Sequence, residues 1–304
     1  MNILITGGAG YIGTSLVNQL TSLAEVDEII IYDNLSRGNY NLFLGNKLNQ
    51  KIKFIQGDIL DTRSLKKAMN GVDIVYHLAA KVTTPYANLD PHVYEQVNHW
   101  GTSEVVSAIE DTQVEQLVYL SSTSVYGASD NYVNEKTIPN PKTFYGASKL
   151  RAEKQVNRLV EKGKAVIIRS GNVYGFSSSM RFDAVINRFA FEANFLNRIS
   201  IQGSGKQSRA FVHINAISKV LKEIPSAKVP SGIYNLALSN YAVLDLVDVF
   251  KELLPTLEFI FVDQHQELRN FMLDMKLELG NYLVLPKPAS LKDELEEFLN
   301  TFSF

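Results

Sequence analysis

Short runs of β-branched and other apolar residues alternate with longer amphipathic stretches over the first 170 or so positions. The runs predict strands at Asn2–Thr6, Glu28–Tyr32, Lys53–Gln56, Ile74–His77, Leu117–Ser121 and Ala165–Ile168. Between them, apolar positions recurring at helical spacing predict helices over Gly13–Leu23, Asp61–Met69, Pro91–Glu110 and Thr143–Lys162. Strands alternating with helices imply an α/β fold, a doubly wound parallel sheet with crossover helices on both faces. After Arg169 the pattern loosens, and Gly175–Ser179 and Gln202–Lys206 read as loops around one helix. Phe211–Ile214 and Gly232–Ala237, the latter followed by a helix starting near Leu244, resemble the early strands and predict returns to the sheet. The expected layout is a larger domain of residues 1–170 and 211–237 and a smaller, discontinuous α/β domain of residues 171–210 and 238–304.

Composition narrows the chemistry. The 304 residues are 45% hydrophobic and 20% charged, and 30 Lys+Arg against 32 Asp+Glu leave a net charge of −2. There is no broad basic field for nucleic acid or an anionic membrane, so an anionic ligand needs a local site. With no cysteine, disulfides, thiolate metal sites and cysteine nucleophiles are excluded. The histidines His77, His92, His99, His213 and His265 lack ligand spacing, so no metal is expected. Met1–Ile5 already reads as a strand, which leaves no room for a cleavable signal, and no apolar run is long enough to span a bilayer; a cytoplasmic location is the expectation.

Gly7, Gly10 and Gly13 form G-x-x-G-x-x-G directly after the first strand and at the head of the first helix. The first glycine permits a tight turn, the second lets backbone approach a pyrophosphate, and the third allows close helix–sheet packing. The N–H groups of Tyr11, Ile12 and Gly13 then open the helix as an anion site. Asp33 follows 20 residues after Gly13, at the end of the second strand. A carboxylate there accepts from a ribose diol and repels a 2′-phosphate, which favours NAD over NADP; Arg37 close by works the other way. Asp58, in Gly57-Asp58-Ile59, suits either an adenine amino group or a helix cap. Leu78-Ala79-Ala80 ends the fourth strand with small residues over which a flat cofactor can pass.

Tyr145 and Lys149, in Tyr145-Gly146-Ala147-Ser148-Lys149, stand four apart on one helix face. A tyrosine acting as a base near neutrality must be shifted by about 3 pH units, roughly 4 kcal/mol. A cation about 5 Å away supplies about 3 kcal/mol at an effective dielectric of ~20. Ser121-Ser122-Thr123-Ser124 puts hydroxyls at the carboxyl end of the fifth strand, where ligands of open α/β sheets bind.

These motifs, with Asp33-Asn34-Leu35-Ser36-Arg37-Gly38, His77-Leu78-Ala79-Ala80, Asn98-His99-Trp100-Gly101-Thr102 and Arg169-Ser170-Gly171-Asn172-Val173-Tyr174-Gly175, resemble an extended short-chain dehydrogenase/reductase of the NAD-dependent epimerase/dehydratase family. The likeness is strongest to nucleotide-sugar epimerases of the UDP-glucose 4-epimerase type and spans Met1 to about Ala237. It implies a Rossmann-type NAD-binding domain and a smaller nucleotide-sugar domain. Ser122 would bond the reacting hydroxyl, Tyr145 would be the acid/base, and Lys149 would hold the nicotinamide ribose and lower the Tyr145 pKa. Gly7, Gly10, Tyr11, Ile12, Gly13, Asp33, Asn34, Asp58, Ile59, Leu78, Ala79, Ala80 and Asn98 would serve the cofactor, Asn98 as a strand-linking and relay residue. Ser122, Thr123, Ser124, Asn172 and Arg209 would serve the substrate, with Arg209 on its diphosphate. A second diphosphate arginine is not evident in Asp263–Leu268, which leaves Arg269 as the candidate for it. A homodimer through the helices at 91–110 and 143–162 is the family's expectation.

The residue pair after Ser122 separates the family's chemistries. Its 4,6-dehydratases carry Asp-Glu there and its UDP-glucuronate decarboxylases a Glu at the second position, whereas this chain has Thr123-Ser124. Oxidation, rotation of the keto-sugar and hydride return need no further acid, so 4-epimerisation is the expected reaction. Net dehydrogenation, 4-keto-sugar reduction and a vestigial NAD-binding protein are the alternatives. The aromatics Phe182, Phe189, Phe191 and Phe195 read as core or pocket wall on the smaller domain's helix.

Overall fold

In the computed structural model, which describes residues 1–43, 50–82, 90–263 and 268–302, the parallel sheet is built as the alternation requires. The chain runs β1 (Asn2–Thr6), α1 (Tyr11–Leu20), β2 (Glu28–Asp33), β3 (Ile52–Gln56), α2 (Thr62–Ala68) and β4 (Ile74–His77). Then come α3 (Pro91–Tyr94) and α4 (Gly101–Glu110), joined by a wide π-turn at Glu95–Trp100, and β5 (Gln116–Ser122), β6 (Tyr132–Val133), α5 (Phe144–Glu161) and β7 (Ala165–Ser170). The predicted helix over Pro91–Glu110 therefore carries a wider turn in its middle. The remainder is β8 (Asn172–Tyr174), α6 (Val185–Leu196), β9 (Arg198–Gln202), β10 (Ser208–His213), α7 (Ile214–Glu223), β11 (Gly232–Leu236), β12 (Ser239–Ala242), α8 (Val243–Leu253), β13 (Glu258–Val262), β14 (Met272–Leu273) and α9 (Leu291–Asn300).

Seven strands form one parallel sheet in the order β11-β7-β5-β4-β1-β2-β3. Strand alternation divides its core between two faces. Ile3, Ile5, Ile29 and Ile31 point to one side, against Leu16, Val17 and Leu20 of α1 and Val220 and Leu221 of α7. Leu4, Ile30, Val75 and Leu117 point to the other, against Leu65 of α2, Val105 and Ile109 of α4 and Val156 of α5. Both faces are buried, and a parallel sheet covered on both faces gives near-continuous apolar strands. The order reverses at β1, whose neighbours β2 and β4 diverge, and this is the switch point at which open α/β sheets bind ligands.

The segment expected at Phe211–Ile214 is a strand, but it does not return to the large sheet. β10 instead lies between β8 and β12 in a small separate sheet, while β11 does add to β7. The reason is Gly171, where the chain leaves β7: its N–H bonds the Leu236 carbonyl, and β8 beyond it peels away to meet β10. A third core joins α6, α8 and α9 through Phe189, Phe250, Leu295 and Phe298. Of the four phenylalanines noted in the sequence, Phe189 is in this core, while Phe182, Phe191 and Phe195 are exposed.

Candidate active site

A cleft of about 1180 Å³ opens at the carboxyl ends of the strands and continues between the sheet and the α6, β9 and β10 region. Following the sheet order, its wall is made by Asp33–Arg37 and Asp58 after β2 and β3, the Gly7–Gly13 turn after β1, Leu78–Val82 after β4, Ser121–Ser124 at β5 and Ser170–Val173 after β7. Arg181, Asp183, Arg188, Gln207, Arg209 and Arg269 complete it.

The phosphate-type turn is shaped by crowding. Gly7 has φ +72°, its N–H bonds the Tyr32 carbonyl at 2.9 Å, and a Cβ on it would lie 2.6 Å from the Ala79 nitrogen. The N-cap of α1 is Gly10, with no side-chain cap and no acid in the first turn, so the helix offers its first N–H groups and positive end toward the cleft. Tyr11 pins this turn to the opposite wall: its hydroxyl donates to the Gly175 carbonyl at 2.6 Å and accepts from Asn187 at 3.2 Å.

The Asp33 carboxylate accepts from the Ala9 N–H at 3.1 Å and the Leu35 N–H at 2.8 Å. Burial pushes its pKa up, and these two hydrogen bonds work against the rise. Asp58 is not the cap of α2; that place is taken by Asp61, which accepts from the Ser64 N–H. The Asp58 carboxylate instead accepts from Leu60 N–H and from the Asn34 amide, both at 2.9 Å, and lines the cleft. Arg37 lines the same part of the cleft and reaches Asp183, 3.6 Å away.

At the other end, Thr143 caps α5 by accepting from the Gly146 N–H at 3.0 Å. A Cβ on Gly146 would lie 2.5 Å from the Ser124 carbonyl oxygen, so glycine is what lets the helix seat against the serine cluster. This brings Tyr145 and Lys149 to the same wall as Ser122, Thr123 and Ser124. The Ser122 hydroxyl oxygen accepts from the Ser124 N–H at 3.1 Å, which leaves its O–H to donate elsewhere.

Burial raises the Tyr145 pKa, and the Arg181 charge and the Ser122 hydroxyl offset part of that rise. Lys149 points its ammonium at the Leu120 carbonyl (2.7 Å) and the Tyr119 hydroxyl (3.2 Å), and burial brings its pKa down to about 7 against the lift from Glu153.

Asn98 is fully buried and does not line the cleft, so the expectation of direct cofactor contact gives way to a different placement. Seated in the π-turn, its amide accepts from Lys81 N–H (2.7 Å) and donates to the Lys81 carbonyl and the Ser148 hydroxyl (both 3.0 Å). It ties the segment after β4 to α5, and its hydrogen bonding is complete. The other residues assigned from the sequence, Ile12, Ile59, Asn172 and Arg209 included, line the cleft. Asn172 donates to the Ala210 carbonyl at 3.1 Å.

Arg209 and Arg269 stand together. Arg209 donates to the Arg269 carbonyl, and Arg269 to the Lys142 carbonyl at 2.7 Å. Burial, reinforced by the Arg269 charge, brings the Arg209 pKa down to about 10. Two guanidiniums on one cleft wall, without a carboxylate partner among the described residues, form a receptor for an anion.

Arg181 and Asp183 were not singled out from the sequence. Arg181 is bidentate to Asp183 (3.0 and 2.9 Å) and donates to the Val82 carbonyl (2.9 Å). Burial raises the Asp183 pKa, but Arg181 and Arg37 overcome this and leave it lowered. No spacing rule marks Arg-Phe-Asp in a loop; only the fold brings it to the cleft that Tyr145 also lines.

Among the described residues no group of three His, Cys, Asp or Glu gathers as for a metal, and no helix is long and apolar enough to cross a membrane. His265 lies outside the described residues.

Residues 3–237 match the family model described as the NAD dependent epimerase/dehydratase family. The chain is 32% identical over 265 residues to dTDP-D-glucose 4,6-dehydratase of Homo sapiens, covering 84% of this chain and 74% of that one. It is 27% identical to a putative UDP-glucose 4-epimerase of Methanocaldococcus jannaschii, over 98% of this chain and 97% of that one. Among solved structures it is similar to UDP-glucuronic acid 4-epimerase from Bacillus cereus in complex with UDP-glucuronic acid and NAD (TM-score 0.87, 25% identity, 99% and 98% of the two chains).

Proposed function

The chain belongs to the NAD-dependent epimerase/dehydratase family, and from that premise we propose that it is a nucleotide-sugar 4-epimerase. The site fits the cofactor: an uncapped helix N-terminus suits a pyrophosphate, and a carboxylate at the end of β2 suits a ribose diol. Gly7, Gly10, Tyr11, Ile12 and Gly13 would hold the phosphates, Asp33, Asn34, Asp58 and Ile59 the adenosine, and Leu78, Ala79, Ala80, Tyr145 and Lys149 the nicotinamide end. NAD, when bound, supplies the hydride acceptor and donor.

The chain's own residues do the rest. Tyr145 takes the proton from the sugar hydroxyl and gives it back after the keto-sugar has turned, while Ser122 donates to the same oxygen and holds it in line. The Arg181 charge favours the tyrosinate. Arg209, with Arg269, grips the diphosphate, so the sugar can rotate about a fixed anchor. Asn172 lies on the same wall, and Thr123 and Ser124 bound the sugar with neutral groups. Asn98 acts indirectly, by fixing Lys81 and α5. The small sheet and α6, α8 and α9 supply the substrate domain, and a homodimer would use the exposed side of α4 and α5, where Trp100 is 58% exposed.

One observation carries epimerisation over dehydration. Next to Ser122 stand Thr123 and Ser124, and the Asp183 carboxylate on that side of the cleft is engaged by Arg181 and Arg37. Neither hydroxyl titrates near neutrality, so Tyr145 is left as the acid/base. The test is incubation with a panel of UDP- and dTDP-sugars without added cofactor, followed by mass-resolved chromatography. A new isomer of unchanged mass is expected. Loss of two hydrogens only with added NAD would mean a dehydrogenase, loss of water a dehydratase, and NAD binding without turnover a vestigial site.

A further inference from the structure

Behind the cleft wall lies a buried charge pair that the mechanism above does not use. Glu153, 2% exposed, is on α5 one turn beyond Lys149, so Tyr145, Lys149 and Glu153 make an i, i+4, i+8 ladder on one helix face. Its carboxylate is filled: Ser121 Oγ donates to it at 2.5 Å, and Arg169, 4% exposed on β7, donates through Nε at 3.0 Å and Nη2 at 2.6 Å. Arg169 in turn lies over the Tyr126 ring, 4.7 Å from guanidinium carbon to ring centre, and Tyr126 donates to Asn235 at 2.8 Å. The network thus begins at the residue next to Ser122 and ends on the outermost strand of the sheet.

A pair buried this deeply costs desolvation and is weak evidence for stability as such. Its position suggests another use. The groups facing Lys149 from the packed elements are Tyr119 of β5, Tyr145 and Glu153 of its own helix, and His77 of β4, which stacks on Tyr119 at 5.4 Å between ring centres. His77 is tied to Thr6 and Thr102 hydroxyls at 2.6 and 2.9 Å, and burial with the Lys149 charge brings its pKa down to about 3, so it is neutral at ordinary pH. Arg169 sits beyond Glu153 and repels Lys149. Glu153 is therefore the anion that balances the lysine.

We propose that Glu153 is a positioning residue: held by Arg169 one helical turn beyond Lys149, it supplies the counter-charge to that buried lysine and orients, through Ser121, the strand end that carries Ser122. The catalytic consequence rests on the reading of Tyr145 and Lys149 given above, while the charge on Lys149 does not.

The experiment titrates Lys149 by side-chain carbon NMR in the full chain, in the parent, Glu153→Gln and Glu153→Asp. Removing the anion exposes Lys149 to Arg169, so the Gln variant is expected to titrate about one to two pH units lower, and the Asp variant to move back toward the parent. If Glu153→Gln does not fold, the double variant Glu153→Met/Arg169→Met, which removes both buried charges together, is read instead, and a smaller fall in the same direction is expected. A Lys149 midpoint that stays at the parent value in the folded variant overturns the proposal. On an active parent, the alkaline limb of the pH–rate profile retreats with the midpoint; a uniform loss at every pH would mean a merely structural role and also overturns it. A parent inactive on every nucleotide sugar would instead sink the epimerase reading and leave the Lys149 titration to decide this one.

Discussion

The two ends of the cleft are built differently. The end where we place the dinucleotide is made of backbone: a glycine turn, a bare helix terminus, and a carboxylate that is itself held by two backbone N–H groups. The other end, where we place the nucleotide sugar, is made of side chains from distant segments, with Arg181, Arg188, Arg209 and Arg269 converging from loops, a helix and a strand. A backbone site follows from the order of strand, turn and helix and changes little when one side chain is replaced. A side-chain site depends on the tertiary fold and can be retuned residue by residue, which is how one cofactor platform serves many sugars.

That contrast is breakable by substitution. The largest effect expected is at Tyr145: Tyr145→Phe should lower kcat by roughly 10³-fold or more while NAD binding persists, since the phenol moves the proton and the backbone holds the cofactor. Turnover kinetics with NAD titration in parallel checks both halves. Arg209→Met should raise KM for the nucleotide sugar by about 10- to 100-fold with NAD affinity unchanged. A matching loss of NAD affinity would show that the two ends are not separable. At the dinucleotide end, Asp33→Ser should weaken NAD by about tenfold and let NADP bind, because the carboxylate that repels a 2′-phosphate is gone; calorimetry with the two cofactors measures it.

Lys149 tests the contrast through stability. Its pKa is brought down to about 7 in the folded chain, against 10.5 for a free lysine. The unfolded chain therefore binds more protons between pH 7 and 10.5, and this group makes stability rise with pH across that window. Lys149→Met should melt higher than the parent at pH 7 and lose this part of the pH dependence, while becoming a poor enzyme. Scanning calorimetry between pH 6 and about 10 reads the difference. The smallest effect is expected at the half-exposed Arg37–Asp183 pair, where Arg37→Ala should change stability by less than about 1 kcal/mol.

The sheet was legible because its signal is local. β1 and β4 match the sequence expectation to the residue, and the other four early strands differ from it by one or two residues at their ends. The π-turn around Asn98 was not legible, since periodicity cannot tell a continuous helix from one with an extra residue in a turn. Nor was the course of β10, because the choice between two sheets is made by the exit at Gly171 and not by the strand's own composition. In the site, the glycine turn, Asp33, Ser122, Tyr145 and Lys149 share one cleft because each sits at a strand end or helix start. Arg181 and Glu153 were missed for opposite reasons: one lies in a loop without a pattern, and the other in a helix where a glutamate reads as surface charge.

Carrying out the reaction in deuterated water tests epimerisation against dehydration, because Tyr145 moves a proton only on and off oxygen and dehydration needs a further group that moves one to carbon. An isomeric nucleotide sugar with no deuterium on carbon is expected, since the hydride leaves and returns within the site. A product that has lost water and carries solvent deuterium on carbon would contradict it and place this chain with the dehydratases.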